Sequence, residues 1–456
     1  MKLNDTIIAL ATPPGIGALA IIRIAGPKTF ELVDKYFIGA HLAKSPSHTI
    51  HFGKLIDEDE RVLDECLTFL FRGPNSYTGD DIIEISCHGS DYIIQSIIQV
   101  FLKAGVRMAN PGEFTMRAFL AGKMDLSQAE AVADLIASNS EAAHTLALQQ
   151  MRGGISDEIS RLRQELIDFA ALIELELDFA EEDVEFADKT KLKVLVEKIQ
   201  NVINQLLKSF QLGNAIKQGV QTVIAGRPNA GKSTLLNALL NEERAIVTDI
   251  PGTTRDTIEE VLNIEGVPFR LIDTAGIREA LDEVEAIGVE KTKASIAKSK
   301  LLVYVFDVIE MKPSEVFQEV EKLRKADQQV ILVANKMDLN PYTKPDDYAM
   351  DDIPVIATSA LNKMNIEYLK ESLFNAVIEG KVQDNSVIIS NTRHVSALQN
   401  SVSSLDAVLN GLDEGVTHDF VAMDIRQALH HLGEITGEIH TDDLLDSIFS
   451  RFCIGK

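Results

Sequence analysis

Apolar residues recur along this chain in three different rhythms. Through the first 120 or so positions, short runs at Ile21 to Ile24, Leu67 to Phe71 and Ile82 to Ile85 alternate with turn-forming clusters such as Thr12-Pro13-Pro14-Gly15 and Asn110-Pro111-Gly112. Short strands broken by Gly, Pro and Asn predict a mixed α+β segment. From about Lys123 the spacing lengthens. Ile155, Ile159, Leu162, Leu166, Phe169, Ile173 and Leu177 recur at steps of four and three, which predicts one long amphipathic helix. The same steps return at Val395, Leu398, Val402, Leu405 and Leu409, so the two helical blocks are expected to pack together as one all-α helical domain.

Between those blocks lies the third rhythm. Val220 to Ala225, Phe269 to Ile272, Leu301 to Phe306, Val330 to Ala334 and Val355 to Ala357 are apolar runs separated by helix-length stretches. Strands that are apolar throughout and alternate with helices predict a parallel sheet covered on both faces, an α/β domain inserted into the helical one. The expected segments are 1–121 (α+β), 122–218 (helical, first part), 219–380 (α/β insertion) and 381–456 (helical, second part). A length of 456 residues accommodates about three domains at roughly 150 residues each.

Composition narrows the partners. The formal net charge of −25 argues against a large nonspecific nucleic-acid surface, which needs clustered Lys and Arg, so any RNA must be held by a local patch or a basic partner. The longest apolar runs fall far short of the roughly 18 residues of a membrane-spanning helix, and the N-terminus lacks a signal-peptide pattern. Cys66, Cys87 and Cys453 fit no metal or disulfide spacing, which makes a reducing cytoplasm the expected compartment.

The chemistry sits at the strand ends of the inserted segment. Gly226-Arg-Pro-Asn-Ala-Gly231-Lys232-Ser233 follows one strand and precedes an apolar helix expected at Thr234 to Leu240, matching a phosphate-binding loop. Asn229, Ala230, Gly231 and Thr234 would close around the phosphates, Lys232 would neutralise them and Ser233 would ligate Mg²⁺. Asp273-Thr274-Ala275-Gly276 follows the strand Phe269 to Ile272, with a carboxylate for the Mg²⁺ shell and a glycine N–H to sense the γ-phosphate. Asn335-Lys336-Met337-Asp338 follows. The Asp338 carboxylate can accept from both the guanine N1–H and the 2-amino group, which adenine lacks, so GTP is expected over ATP. Ser359-Ala360 would offer a backbone N–H to the guanine carbonyl. Thr248, Asp249, Ile250, Pro251, Gly252, Thr253 and Thr254 supply the first switch. The residue after Gly276 is Ile277, which cannot orient water as a glutamine would. Glu285, in the acidic stretch just beyond, is the candidate catalytic carboxylate. The Asn229 side-chain carbonyl could help hold a monovalent cation that replaces an arginine finger.

These central motifs resemble the potassium-activated GTPases of the TrmE/Era branch. The flanking stretches Ala11 to Gly15, Ser76 to Gly79, Pro111 to Thr115, Gly122 to Leu126, Gln128 to Ala131 and the terminal Phe452-Cys-Ile-Gly-Lys456 are similar to the tRNA modification GTPase MnmE (TrmE) family. The resemblance implies that the first segment binds tetrahydrofolate as 5-formyl or 5,10-methylene derivative and forms a homodimer. It further implies an FAD-containing MnmG-type partner, tRNA as substrate, and modification at C5 of the wobble uridine. By motif position it assigns Asn229, Thr248, Ile250 and Thr253 to K⁺, Ser233 and Thr254 to Mg²⁺, Glu285 to catalysis, and Arg23, Glu84, Lys123 and Lys456 to folate. Ser90 stands where the family pattern has a second glycine after His88-Gly89, so backbone strain is expected there if the position needs a positive φ. The competing reading is a ribosome-assembly or regulatory switch GTPase. Such factors append a small basic RNA-binding module, whereas this C-terminal tail is helical and neutral to acidic.

Overall fold

The computed structural model describes residues 4–178, 189–240, 259–273, 299–325, 328–340, 342–350, 353–377 and 387–456. In the first segment, strands β1 (Ile7–Leu10) and β2 (Leu19–Ala25) lead to helix α1 (Thr29–Tyr36). Strands β3 (Phe37–Ile38), β4 (Thr49–Ile56), β5 (Val62–Phe71) and β6 (Ile82–His88) follow, then α2 (Asp91–Lys103), β7 (Arg107–Met108) and α3 (Glu113–Leu120). The strands form a seven-stranded sheet in the order β3-β4-β5-β6-β2-β1-β7, antiparallel apart from β1 beside β7.

Side chains alternate across this sheet with period two, so each strand sends one set to each face. Ile22, Ile24, Leu55, Leu70, Ile83 and Ile85 meet Phe30 and Val33 of α1 and Ile97 and Phe101 of α2 in a closed core. The opposite set behaves differently. At one end Phe114 of α3 covers Ile7, Ala9, Ala25 and Ile82. Farther along, Ile50, paired with the half-buried Phe69, and the pair Phe52 with Leu67 lie in the open, Ile50 at 59%, Phe52 at 65% and Leu67 at 40% exposure.

Helices α4 (Leu126–Ala137), α5 (Glu141–Met151), α6 (Gly154–Asp178) and α7 (Lys189–Gln218) come next in the chain. The inserted segment supplies β8 (Val220–Ala225), α8 (Lys232–Leu240), β9 (Glu259–Ile264), β10 (Val267–Asp273), β11 (Leu301–Asp307), α9 (Pro313–Leu323), β12 (Gln329–Asn335), β13 (Val355–Ala357) and α10 (Ile366–Val377). Helices α11 (Thr392–Glu414), α12 (His418–Thr436) and α13 (Asp442–Phe449) close the chain. The four-and-three spacing is realised in α6, where Ile155, Ile159, Leu162 and Leu166 are fully buried and the helix packs along α12. Helix α13 docks on α3 through Leu445, Phe449 and Met116. Among the described residues no helix is long and apolar enough to cross a membrane.

The inserted sheet has the order β13-β12-β11-β8-β10-β9 and is parallel except for β9, which runs antiparallel at the edge. β11 sits between β8 and β12, and all seven of its residues are buried, which is why its sequence is an unbroken apolar run ending in one carboxylate. By compactness the chain separates into two units. One comprises residues 1–136, 148–196 and 400–456, the other 137–147 and 197–399, so the second interrupts the first.

Candidate functional site

The carboxyl ends of β8, β10, β11, β12 and β13 lie along one edge of the parallel sheet, the position where open α/β sheets take their ligands. After β8 the chain turns through Gly226 at φ 151°, where an added Cβ would lie 2.0 Å from the Val305 carbonyl oxygen, and through Gly231 at φ 92°, where it would lie 2.3 Å from Asn335 Nδ2. Both positions exclude a side chain by backbone conformation and by contact. Asn229 also adopts a left-handed φ of 62° and is exposed, as are Ser233 and Thr234, while Ala230 and Lys232 are buried. The Lys232 ammonium donates to the carbonyls of Gly226 at 3.1 Å and Arg227 at 2.9 Å, holding the charge against the loop it belongs to. Helix α8 begins at Lys232 rather than at Thr234, because Leu235 N–H already bonds the Gly231 carbonyl at 2.9 Å. The first helical N–H groups and the positive end of the dipole therefore meet the loop directly.

Asn335 binds the separate motifs into one site. Its Nδ2 donates to the Ala230 carbonyl at 2.9 Å, and its Oδ1 accepts from the Ala360 N–H at 3.0 Å and from Thr358 Oγ1 at 3.3 Å. Asp338 is exposed and accepts from Ser359 Oγ at 2.6 Å on Oδ1, which fixes the carboxylate while leaving it further lone pairs. Two details depart from the expectation. Asp273 is itself the last residue of β10, and the Ala360 N–H is engaged by Asn335 rather than pointing free. Thr248, Asp249, Ile250, Pro251, Gly252, Thr253, Thr254, Thr274, Ala275, Gly276 and Glu285 lie outside the described residues.

A second cluster gathers on the sheet of the first segment. Arg23 of β2 pairs with Glu84 of β6 across the strands, Nε and NH2 each 2.8 Å from Oε1, and its NH1 donates to the Gly455 carbonyl at 3.3 Å. The guanidinium lies against the rings of Tyr77 and Phe114, at 5.6 and 5.4 Å. Phe114 N–H also bonds the Lys456 carbonyl at 3.3 Å, so the chain terminus is sewn to the start of α3. Lys123 donates to the Pro74 carbonyl in the loop that carries Tyr77. Thus Arg23, Glu84 and the terminal residues come together, with Lys123 at the neighbouring loop. Ser90 has φ −95°, ordinary extended backbone, so the expected strain is absent.

Around the base of α3 stands a network that the sequence reading missed. Glu113, 1% exposed, accepts two bonds from Arg107 at 2.6 and 3.0 Å and one from Arg117 NH2 at 2.8 Å. Asp5 accepts from the same two arginines at 2.7 and 2.6 Å. Burial pulls the Glu113 and Asp5 carboxyls upward, but the arginine hydrogen bonds and charges outweigh it and leave both below their ordinary range. On the covered sheet face, burial pushes Cys66 up to about 12 and Cys87 up to about 11, with Asp64 nearby adding to both, which makes them inert packing thiols.

Comparison with known proteins agrees across the chain. A family model for the GTP-binding protein TrmE N-terminus matches residues 6–123, and one for the MnmE helical domain matches residues 126–453. A tRNA modification GTPase MnmE of Cytophaga hutchinsonii is 52% identical over 453 residues, covering 99% of this chain and 98% of that protein. Another from Christiangramia forsetii is 51% identical over 475 residues, covering both completely. The chain belongs to the MnmE family. In the nucleotide site of this MnmE-family chain, Asp307 and the cross-linking role of Asn335 also escaped the sequence reading. A lone acid at the end of an otherwise apolar strand was the available signal for Asp307. The Asn335 bond to Ala230 spans 105 residues, which no local pattern announces.

Proposed function

We propose that this chain hydrolyses GTP to GDP and phosphate in the service of tRNA modification, at C5 of the wobble uridine. The observation that carries the nucleotide part is the Asn335 side chain, which ties the phosphate loop, the guanine-reading strand end and the Ser359-Ala360 turn into one crevice. Family membership supports the tRNA part.

Within that reading Lys232 and the N–H groups of 229–234 hold the phosphates and Asp338 reads the base. Ser233 with Thr254 would ligate Mg²⁺. The exposed Asn229, set by its left-handed backbone at the loop's rim, would share K⁺ with Thr248, Ile250 and Thr253. Glu285 is assigned to the attacking water, and Asp273 to Gly276 to the metal shell and γ-phosphate. The donor set of the second cluster fits a pterin with a glutamate tail. Glu84 can accept ring N–H groups, and Arg23, Lys123 and Lys456 can meet carboxylates. Bound there, a tetrahydrofolate derivative would supply the one-carbon unit. The open apolar sheet face supports a homodimer. An FAD-containing partner, a cytoplasmic setting and the partition 1–121, 122–218, 219–380 and 381–456 complete the proposal.

Wobble-uridine modification in tRNA from cells with and without the gene tests the substrate, and identical tRNA would end this reading in favour of a pure switch GTPase. On purified protein, hydrolysis should run faster in K⁺ than in Na⁺ at equal ionic strength. Glu285→Ala should lose turnover while still binding GTP.

A further inference from the structure

Asp307 belongs to none of the motifs, yet it is a buried carboxylate at the carboxyl end of β11. Its side chain is 5% exposed, and Oδ2 lies 2.7 Å from the ammonium of Lys336. Oδ1 accepts the Ile309 N–H at 2.8 Å, so the carboxylate is held by its own turn. Val308 N–H bonds the Asn335 carbonyl at 3.3 Å, and Asp307 and Asn335 are register partners in neighbouring strands. Lys336 itself has φ 65° and a side chain 30% exposed. An isolated buried carboxylate is costly, and pairing with a lysine on the next strand end offsets that cost.

Sheet order gives the pair its direction. Lys336 leaves the end of β12, and its ammonium reaches the end of β11, the strand lying between β12 and β8. β8 carries the phosphate loop. The lysine stem therefore runs across the carboxyl ends of the strands, from the Asp338 side towards the phosphate-loop side. A lysine stem left free would lose rotamer freedom on every binding event.

We propose that Asp307 is a positioning residue for guanine nucleotide, pinning the Lys336 stem as a preset floor for the nucleoside. The inference rests on the GTP-binding reading above. It acts on nucleotide retention and leaves the hydrolytic groups alone, so it separates from a general role in folding.

The test uses full-length protein in Mg²⁺ and K⁺ buffer with a fluorescent GDP and with GTP. Asp307→Asn, equal in size, should speed GDP release and raise KM about ten-fold or more, the scale of one charge-assisted hydrogen bond. kcat at saturating GTP should stay within about two-fold. Lys336→Met keeps an unbranched stem but cannot pair with Asp307, and should speed release similarly. The double variant should be no worse than Lys336→Met alone, as expected for two residues acting through one contact. Release and KM within about two-fold of the parent in Asp307→Asn would overturn the proposal, as would additive effects in the double variant. If Asp307→Asn does not fold, Lys336→Met decides, and unchanged release refutes the tether. Parent protein that binds no guanine nucleotide would take down the GTP reading itself.

Discussion

At the scale of single residues, the site depends on two glycines for opposite kinds of closeness. Gly226 lets the loop leave β8 against the backbone of β11, and Gly231 lets Asn335 approach the Ala230 carbonyl. A methyl at Gly231 meets Asn335 Nδ2 at 2.3 Å on a backbone of φ 92°, so neither a rotamer change nor a small shift relieves both problems. Gly231→Ala is expected to lower GTP affinity by at least about a hundred-fold, the cost of one strained φ combined with one broken buried hydrogen bond. Equilibrium binding of a labelled GTP analogue measures it, and wild-type affinity would show that Asn335 is not the tie. The glycine spacing, Lys232 and the Asn335 to Asp338 motif were legible in sequence because each is a contiguous run at one strand end. The bonds that assemble them were not, since Ala230, Asn335 and Ala360 meet only after the sheet has formed.

At the scale of elements, the apolar runs mark the buried strands well, and β11 and β12 exceed their expected ends by one residue or so. β3 and β7 have two residues each, too few for any periodicity, and β9 is an edge strand whose polar Glu260 and Asn263 dilute its pattern. Beside the Phe114 contact, charge fixes α3 against β1 and β7, through Asp5, Arg107, Glu113 and Arg117. Removing Arg117, 3% exposed, would leave Glu113 buried with one fewer cationic partner and Asp5 likewise depleted. Arg117→Ala should therefore destabilise by about 3–5 kcal/mol, read as a shift in the urea midpoint. Because both carboxyls titrate lower in the folded chain than in the unfolded one, their contribution is complete above the unfolded values near about 4. It drains away as pH falls through the folded ones. The urea midpoint should be flat from pH 7 to about 5 and fall below about 4, more shallowly in Arg117→Ala. An equal acid slope in both proteins would remove the network from that role.

At the scale of the whole molecule, the sheet of the first segment has one face that α3 covers only at one end, through Phe114. Leu19 is 65% exposed, Ile38 53%, Ile50 59% and Phe52 65%, and register places Phe52 opposite Leu67 and Ile50 opposite Phe69 on that face. Arg23 and Glu84 point the same way, since Leu19, Ile21 and Arg23 alternate on β2 opposite His88, Ser86 and Glu84 on β6. On the homodimer reading proposed above, this apolar face is the interface, and a self-complementary patch would close a two-fold dimer with the Arg23 clusters of both copies on the joined surface. These side chains are outside the folded core, so they can be replaced without leaving a cavity. Phe52→Lys with Leu67→Lys puts two ammonium groups directly opposite each other on adjacent strands, unfavourable within one copy by a fraction of a kcal/mol and far more so against a second copy. Sedimentation should show the parent chain as a dimer and the double variant as a folded monomer with its GTP affinity intact, because the nucleotide crevice is built from the other compact unit. A variant that stays dimeric would move the interface elsewhere. One that loses GTP affinity along with the dimer would mean that the crevice is completed only in the assembly.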